Sequence, residues 1–129
     1  MSGLVHNNRK HPRISVDLAL KCKDFLLAKE TPMEVLAKNL SLGGMSFYLD
    51  HFTAMSHKLI LEFDLPLVAH NVRTIFKIMW IHKSPTDEQF LVGGKFLEMS
   101  KENKTQIAEF VYDRIKDQFE TLREQAQIA

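Results

Sequence analysis

The sequence is poor in the residues that most often announce chemistry. Its single cysteine, Cys22, excludes an intramolecular disulfide and a cysteine-built zinc cluster. Cys22 falls in a predicted strand with no base nearby in sequence, so an inert, packed thiol is expected. The six histidines (His6, His11, His51, His57, His70, His82) are scattered, and no pair has metal-ligand spacing on a predicted helix or strand. A Gly-rich phosphate loop and a nucleophile elbow are both missing, which argues against an enzyme. Neither sign of charge dominates: 17 Lys+Arg stand against 16 Asp+Glu, for a net charge of +1. That balance argues against wrapping long nucleic acid by charge alone. No apolar run approaches the length of about eighteen residues that a membrane span needs. Met1 to Asn8 has no apolar core of signal-peptide length. No low-complexity tract or internal repeat is present. A reduced, cytosolic, soluble domain is the expectation.

What is present is a chain of 129 residues, 45% apolar, enough for one ordinary domain with a core. Six segments read as short strands by period-two alternation or apolar content. They are Ile14–Leu27, Met33–Leu40, Gly44–Leu49, Lys58–Leu65, Val72–His82 and Phe90–Met99. Gly93 and Gly94 inside the last one predict a bulge or bend. Six strands with turn signals between them predict a closed or nearly closed barrel, an arrangement that leaves no exposed edge. The period then changes. Ser100 is a plausible N-cap, and from Asn103 to about Gln125 there is neither Gly nor Pro. Ile107, Phe110, Val111, Ile115, Phe119 and Leu122 recur at helical spacing. Such a helix, roughly 35 Å long, exceeds what covers a small barrel; its far end either frays or meets a partner. The predicted organisation is therefore a flexible arm (1–13), a six-stranded antiparallel β-barrel (14–99) and a C-terminal α-helix (100–129), an all-β core with one helix. A monomer and a homodimer through the helix both fit.

Two stretches stand out. In Asn39-Leu40-Ser41-Leu42-Gly43-Gly44 two polar side chains sit two residues apart and two glycines close the run. On a strand, Asn39 and Ser41 share a face. Gly43 and Gly44 allow positive φ or a close approach to the backbone. An amide and a hydroxyl can both read the donor and acceptor edges of a base. The plainer alternative is a hairpin turn, since Asn, Ser and Gly are ordinary turn residues. About thirty residues upstream lies Arg9-Lys10-His11-Pro12-Arg13, with no acid among its five residues. Two arginines four apart can place two guanidinium forks around one ligand, gripping phosphate, reading a guanine edge or stacking on a base. Its plainer alternative is a solvated basic terminus.

Taken together, Arg9-x-x-x-Arg13 followed by Asn39-x-Ser41-x-x-Gly44 resembles the two-part signature of the PilZ domain. The predicted barrel, the Val92-Gly93-Gly94-Lys95-Phe96-Leu97 segment and the C-terminal helix agree with it, from about Arg9 to Phe119. PilZ domains are bacterial receptors for the second messenger cyclic di-GMP (c-di-GMP). The resemblance therefore implies a nucleotide-binding signalling module without a cofactor. It implies that Arg9 and Arg13 grip phosphates and guanine edges, with Lys10 beside them. It assigns one guanine to Asn39 and Ser41, and gives Gly43 and Gly44 the task of letting the ligand approach. Asn8 takes the position thought to influence whether one ligand or a stacked pair binds. Trp80 lies where some members place an aromatic near the ligand; packing in the core is its other reading. The arm is expected to fold over the barrel when the dianion binds, and the signal to pass to a protein partner. Two rivals are a PilZ-like adaptor that binds protein but no nucleotide, and a small barrel for single-stranded nucleic acid. The second is disfavoured by the balanced charge and the lack of a regular aromatic face.

Overall fold

The computed structural model describes residues 12–26, 31–66 and 70–128. Six strands form, β1 (Ile14–Asp24), β2 (Met33–Leu40), β3 (Gly44–Leu49), β4 (Lys58–Leu65), β5 (His70–Lys83) and β6 (Phe90–Glu98), followed by one helix, α1 (Lys101–Ile128). All neighbouring strands are antiparallel, and they close into a barrel in the order β1-β2-β3-β6-β5-β4.

Alternation makes the barrel. Ile14, Val16, Leu18, Leu20 and Cys22 of β1 all point inward, as do Leu59, Leu61, Phe63 and Leu65 of β4. They meet Phe47 of β3, Phe76 and Ile78 of β5 and Val92 of β6, all buried. The Phe47 and Phe76 rings lie 5.3 Å apart in a tilted pair. Burying each such side chain contributes about 1.5–3 kcal/mol, so the closed sheet carries its own core. Cys22 is part of it. Burial, and then the charge of Asp24, pushes the thiol up to about 12, so no thiolate forms at neutral pH.

The helix plugs one end of the barrel. Ser100 Oγ accepts from the Asn103 backbone N–H at 3.1 Å, the N-cap bond expected from its position. Ile107, Phe110 and Val111 are buried against the strands and Ile115 is partly so, whereas Phe119 and Leu122 are both 63% exposed. The helical stripe is therefore core for two turns and surface beyond. Asn103 Nδ2 donates to the Asn71 carbonyl, and Arg114 donates to the Ser15 carbonyl, both at 3.2 Å; these bonds fix the helix between β5 and β1.

Several expectations change. β6 ends at Glu98 rather than Met99. β1 ends at Asp24 rather than Leu27, because Asp24 Oδ1 accepts from the Leu26 N–H at 2.7 Å and turns the chain, leaving Phe25 and Leu26 exposed. β5 is longer than Val72–His82 at both ends. Near Gly93 and Gly94 the irregularity falls on the partner strand. Ile78 pairs with Gly94 and Trp80 with Gly93, so Met79 of β5 is the extra residue. Of the arm expected over residues 1–13, residues 1–11, including Asn8, Arg9 and Lys10, lie outside the described residues, as does Leu27. Among the described residues, no helix is long and apolar enough to cross a membrane, and no group of three or more His, Cys, Asp or Glu could hold a metal.

Candidate functional site

The β1–β2 register joins the two sequence stretches. Ile14 pairs with Leu40 and Ser15 with Asn39. Arg13, the exposed residue just before β1, is thereby carried to the corner where β2 ends and the 41–44 turn begins. Thirty residues of sequence separation collapse into adjacent strands.

The turn is held by its own serine. Ser41 Oγ accepts from the Gly43 and Gly44 N–H groups, each at 3.2 Å, and the Ser41 N–H donates to the Gly44 carbonyl at 2.9 Å. Ser41 therefore stands past the end of β2, its hydroxyl already engaged in shaping the loop. Among the described residues no glycine has positive φ, so that part of the sequence expectation does not hold. Close approach explains Gly44 instead. A Cβ there would stand 1.9 Å from the Gly94 carbonyl oxygen, because β3 and β6 press together at this point. Gly43 contributes its carbonyl, which accepts from the Phe96 N–H at 2.9 Å and ties the turn to β6.

Asn39 continues into a row that runs across five strands. The register pairs Ser15 with Asn39, Asn39 with Ser46, Ser46 with Gly93 and Gly93 with Trp80. The inward neighbours Ile14, Leu40, Met45, Phe47 and Val92 put this row on the outer wall. Asn39 Nδ2 donates to Ser46 Oγ at 3.0 Å, and the amide's carbonyl oxygen is the acceptor the side chain brings to the wall. Trp80 is not a core residue. Its indole lies flat where a Gly93 side chain would be, with Cε2 and Cζ2 only 2.1 Å from the site of a Cβ. It is partly buried and 5.1 Å from the His82 ring, centroid to centroid. The wall thus offers an amide acceptor at one side, an indole at the other and small residues between them. A flat, polar-edged ring system fits that combination: acceptors for its donor edge, a π surface for its face.

Two contributors were not evident from the sequence. Ser46 was legible in principle, since it alternates with the apolar Met45 and Phe47. Arg114, which holds the Ser15 carbonyl and stacks 5.6 Å from the Phe110 ring centroid, lies 99 residues from Ser15 and gave no local signal.

The PilZ domain model matches residues 7–113, most of the chain. The chain belongs to the PilZ domain family. No curated protein sequence matches it. Among solved structures, this PilZ domain is similar to the inhibitor of motility MotI/DgrA of Bacillus subtilis (TM-score 0.73, 19% identity, covering 86% of this chain and 52% of that one). It is similar to YcgR of Escherichia coli, solved in complex with c-di-GMP (TM-score 0.71, 18% identity, 91% and 50% covered). The isolated PilZ domain of that YcgR with c-di-GMP matches over 95% of this chain and all of its own length (TM-score 0.64, 17% identity). The chain spans about half the length of the first two proteins. At these identities the likeness is one of fold.

Proposed function

We propose that this PilZ domain is a receptor for c-di-GMP and binds it on the outer wall of the barrel, at the corner formed by Arg13, the 41–44 turn and the Asn39–Trp80 row. The observation that carries the proposal is the β1–β2 register, which sets the residue after Arg13 opposite the residue before Ser41. Arg9 and Arg13 would grip the phosphates and the outer guanine edges, assisted by Lys10, with Asn8 next to the first arginine. The Asn39 carbonyl oxygen would accept from guanine, whose N1–H and N2–H groups form a donor edge. Ser41, together with Gly43 and Gly44, would hold the turn in the shape the ligand meets. Trp80 would pack against the base. Binding of a dianion would order the arm against the wall, and the changed surface would pass the signal to a protein partner. Arg114 would feel that change, because it holds the Ser15 carbonyl two residues from Arg13.

Isothermal titration of c-di-GMP into the full chain tests this, with GTP as competitor and Asn39→Ala beside the parent. Saturable binding that GTP does not displace is expected. Asn39→Ala is expected to weaken it about tenfold, a neutral hydrogen bond contributing about 0.5–1.5 kcal/mol and more when its buried partner is left unmet. Asn39→Asp, which keeps an acceptor, is expected to bind. No heat and no shift of the melting temperature at high ligand would remove the receptor assignment and leave the protein-binding adaptor.

A further inference from the structure

On the outer face of the barrel, three lysines form a ladder across neighbouring strands. Lys58 of β4 pairs directly with Lys77 of β5, and Lys77 with Lys95 of β6. Their inward neighbours Leu59 and Phe76 fix the three on the outer face. Like charges directly opposite one another across strands destabilise a sheet. Here no carboxylate relieves them: among the described residues, none of the three lysines takes part in an ion pair. Lys58 Nζ lies 5.9 Å from the centroid of the Phe25 ring.

Beside the ladder lies an open groove of about 610 Å³, lined by apolar side chains and by polar ones that include Thr74 and Ser100. Ile60 and Ile75, a cross-strand pair, form its floor, with Phe25, Leu97 and Met99 at its sides. Leu97 is the extra residue where the β5–β6 register shifts, which is why it stands out from the wall, 39% exposed. Arg73 and Lys104 stand on the side away from the lysines, and one carboxylate, Glu98, is among the lining residues. The surface is thus a concave apolar floor between cationic edges, on a chain whose overall charge is only +1.

We propose that this groove and the Lys58–Lys77–Lys95 ladder form a docking surface for an acidic segment of a partner protein, one that carries an aliphatic or aromatic anchor. Charge complementarity selects the occupant. Carboxylates would pair with the ladder, whose rungs are about 4.8 Å apart. Acidic side chains one helical turn apart are spaced about 5–6 Å, so a short acidic helix can match two rungs while its apolar side chain fills the groove. Single-stranded nucleic acid suits the surface less well. It needs aromatic faces for its bases, and the one aromatic here, Phe25, already has Lys58 over it. A lipid surface calls for several apolar side chains that protrude together; here Ile60 and Ile75 are half-buried in the floor, and Phe25 and Leu97 at the sides are little more than a third exposed. The ladder ends at Lys95, whose partner on β3 is Gly44. The docking surface therefore abuts the 41–44 turn, but its existence does not depend on what binds there.

The test is fluorescence anisotropy with the full chain and a labelled synthetic peptide. The peptide is a helical 12-mer with glutamates one turn apart and Leu and Phe on the opposite face. Parallel arms use the same peptide with both anchors changed to Ser, a labelled dT 12-mer, and phosphatidylglycerol vesicles. Micromolar binding of the acidic peptide is expected, weakened at least tenfold by loss of the anchors, by the Lys58→Gln/Lys77→Gln double variant, and by Leu97→Ser. The double variant is also expected to melt higher than the parent at low salt, since it removes a like-charge pair; that shift shows that its lost binding is not lost folding. No binding of the acidic peptide, binding indifferent to these substitutions, or tighter capture of the oligonucleotide or the vesicles would overturn the proposal.

Discussion

Arg13→Ala is expected to weaken c-di-GMP binding about 10- to 100-fold, the loss of charge-assisted hydrogen bonds worth about 1.5–3 kcal/mol. The stability of the barrel should change little, because Arg13 is exposed and lies before the first strand. Arg9→Ala is expected to act in the same direction. In the double variant the losses should not simply add, since two forks on one dianion share their partner. Raising salt should weaken the parent more than the double variant, which has fewer charges to screen. Titration calorimetry at two salt concentrations checks both points. Equal affinity in parent and double variant would dissociate the arm from the site.

Gly44→Ala is expected to damage the fold rather than the ligand contact. The new Cβ would meet the Gly94 carbonyl oxygen at 1.9 Å, with the Gly94 carbonyl carbon and Lys95 Cα at 3.0 and 3.2 Å. All three are backbone atoms, so no side chain can swing aside; β3 and β6 must part. That disturbs the Gly44–Lys95 pair and the bond from the Phe96 N–H to the Gly43 carbonyl. Overpacking of this kind costs about 3 kcal/mol, or a drop in melting temperature on the order of 10 °C for a domain of this size. Gly93→Ala is a useful contrast. The three atoms nearest its Cβ all belong to the Trp80 ring, and a side chain can rotate away, so a milder drop with altered tryptophan fluorescence is expected. Thermal melts of the two variants side by side distinguish these cases. A Gly44→Ala chain that melts like the parent but binds poorly would mean that Gly44 serves the ligand alone.

Much of the fold was legible because each strand has one wet face. β2, β3 and β4 have the bounds that alternation predicts, and the buried residues of β1 and β4 are the alternating ones. The helix was legible from its period, and Ser100 from its place before it. What local pattern could not supply was register. The bulge at Met79 depends on how Trp80 packs against a glycine of another strand. For Gly44 the sequence leaves positive φ and close approach both open, and only the placement of β6 decides between them. The lysine ladder is invisible in sequence, since Lys58, Lys77 and Lys95 are far apart and meet only through pairing. For the site, the turn and its polar residues were evident, whereas Ser41's role as the turn's own staple follows from backbone geometry. The exposed Phe119 and Leu122 show the opposite limit: helical spacing marks an apolar stripe but not where the barrel stops covering it.

Amide and indole chemical shifts followed during a c-di-GMP titration test most directly whether the ligand sits on the outer wall. Shifts concentrated at Ser15, Asn39, Ser41 to Ser46, Gly93 and the Trp80 indole, with Arg114 moving secondarily, are the expected result. Saturable shifts confined to the opposite side of the barrel, or to the groove between Ile60 and Leu97, would contradict the proposed placement of the site.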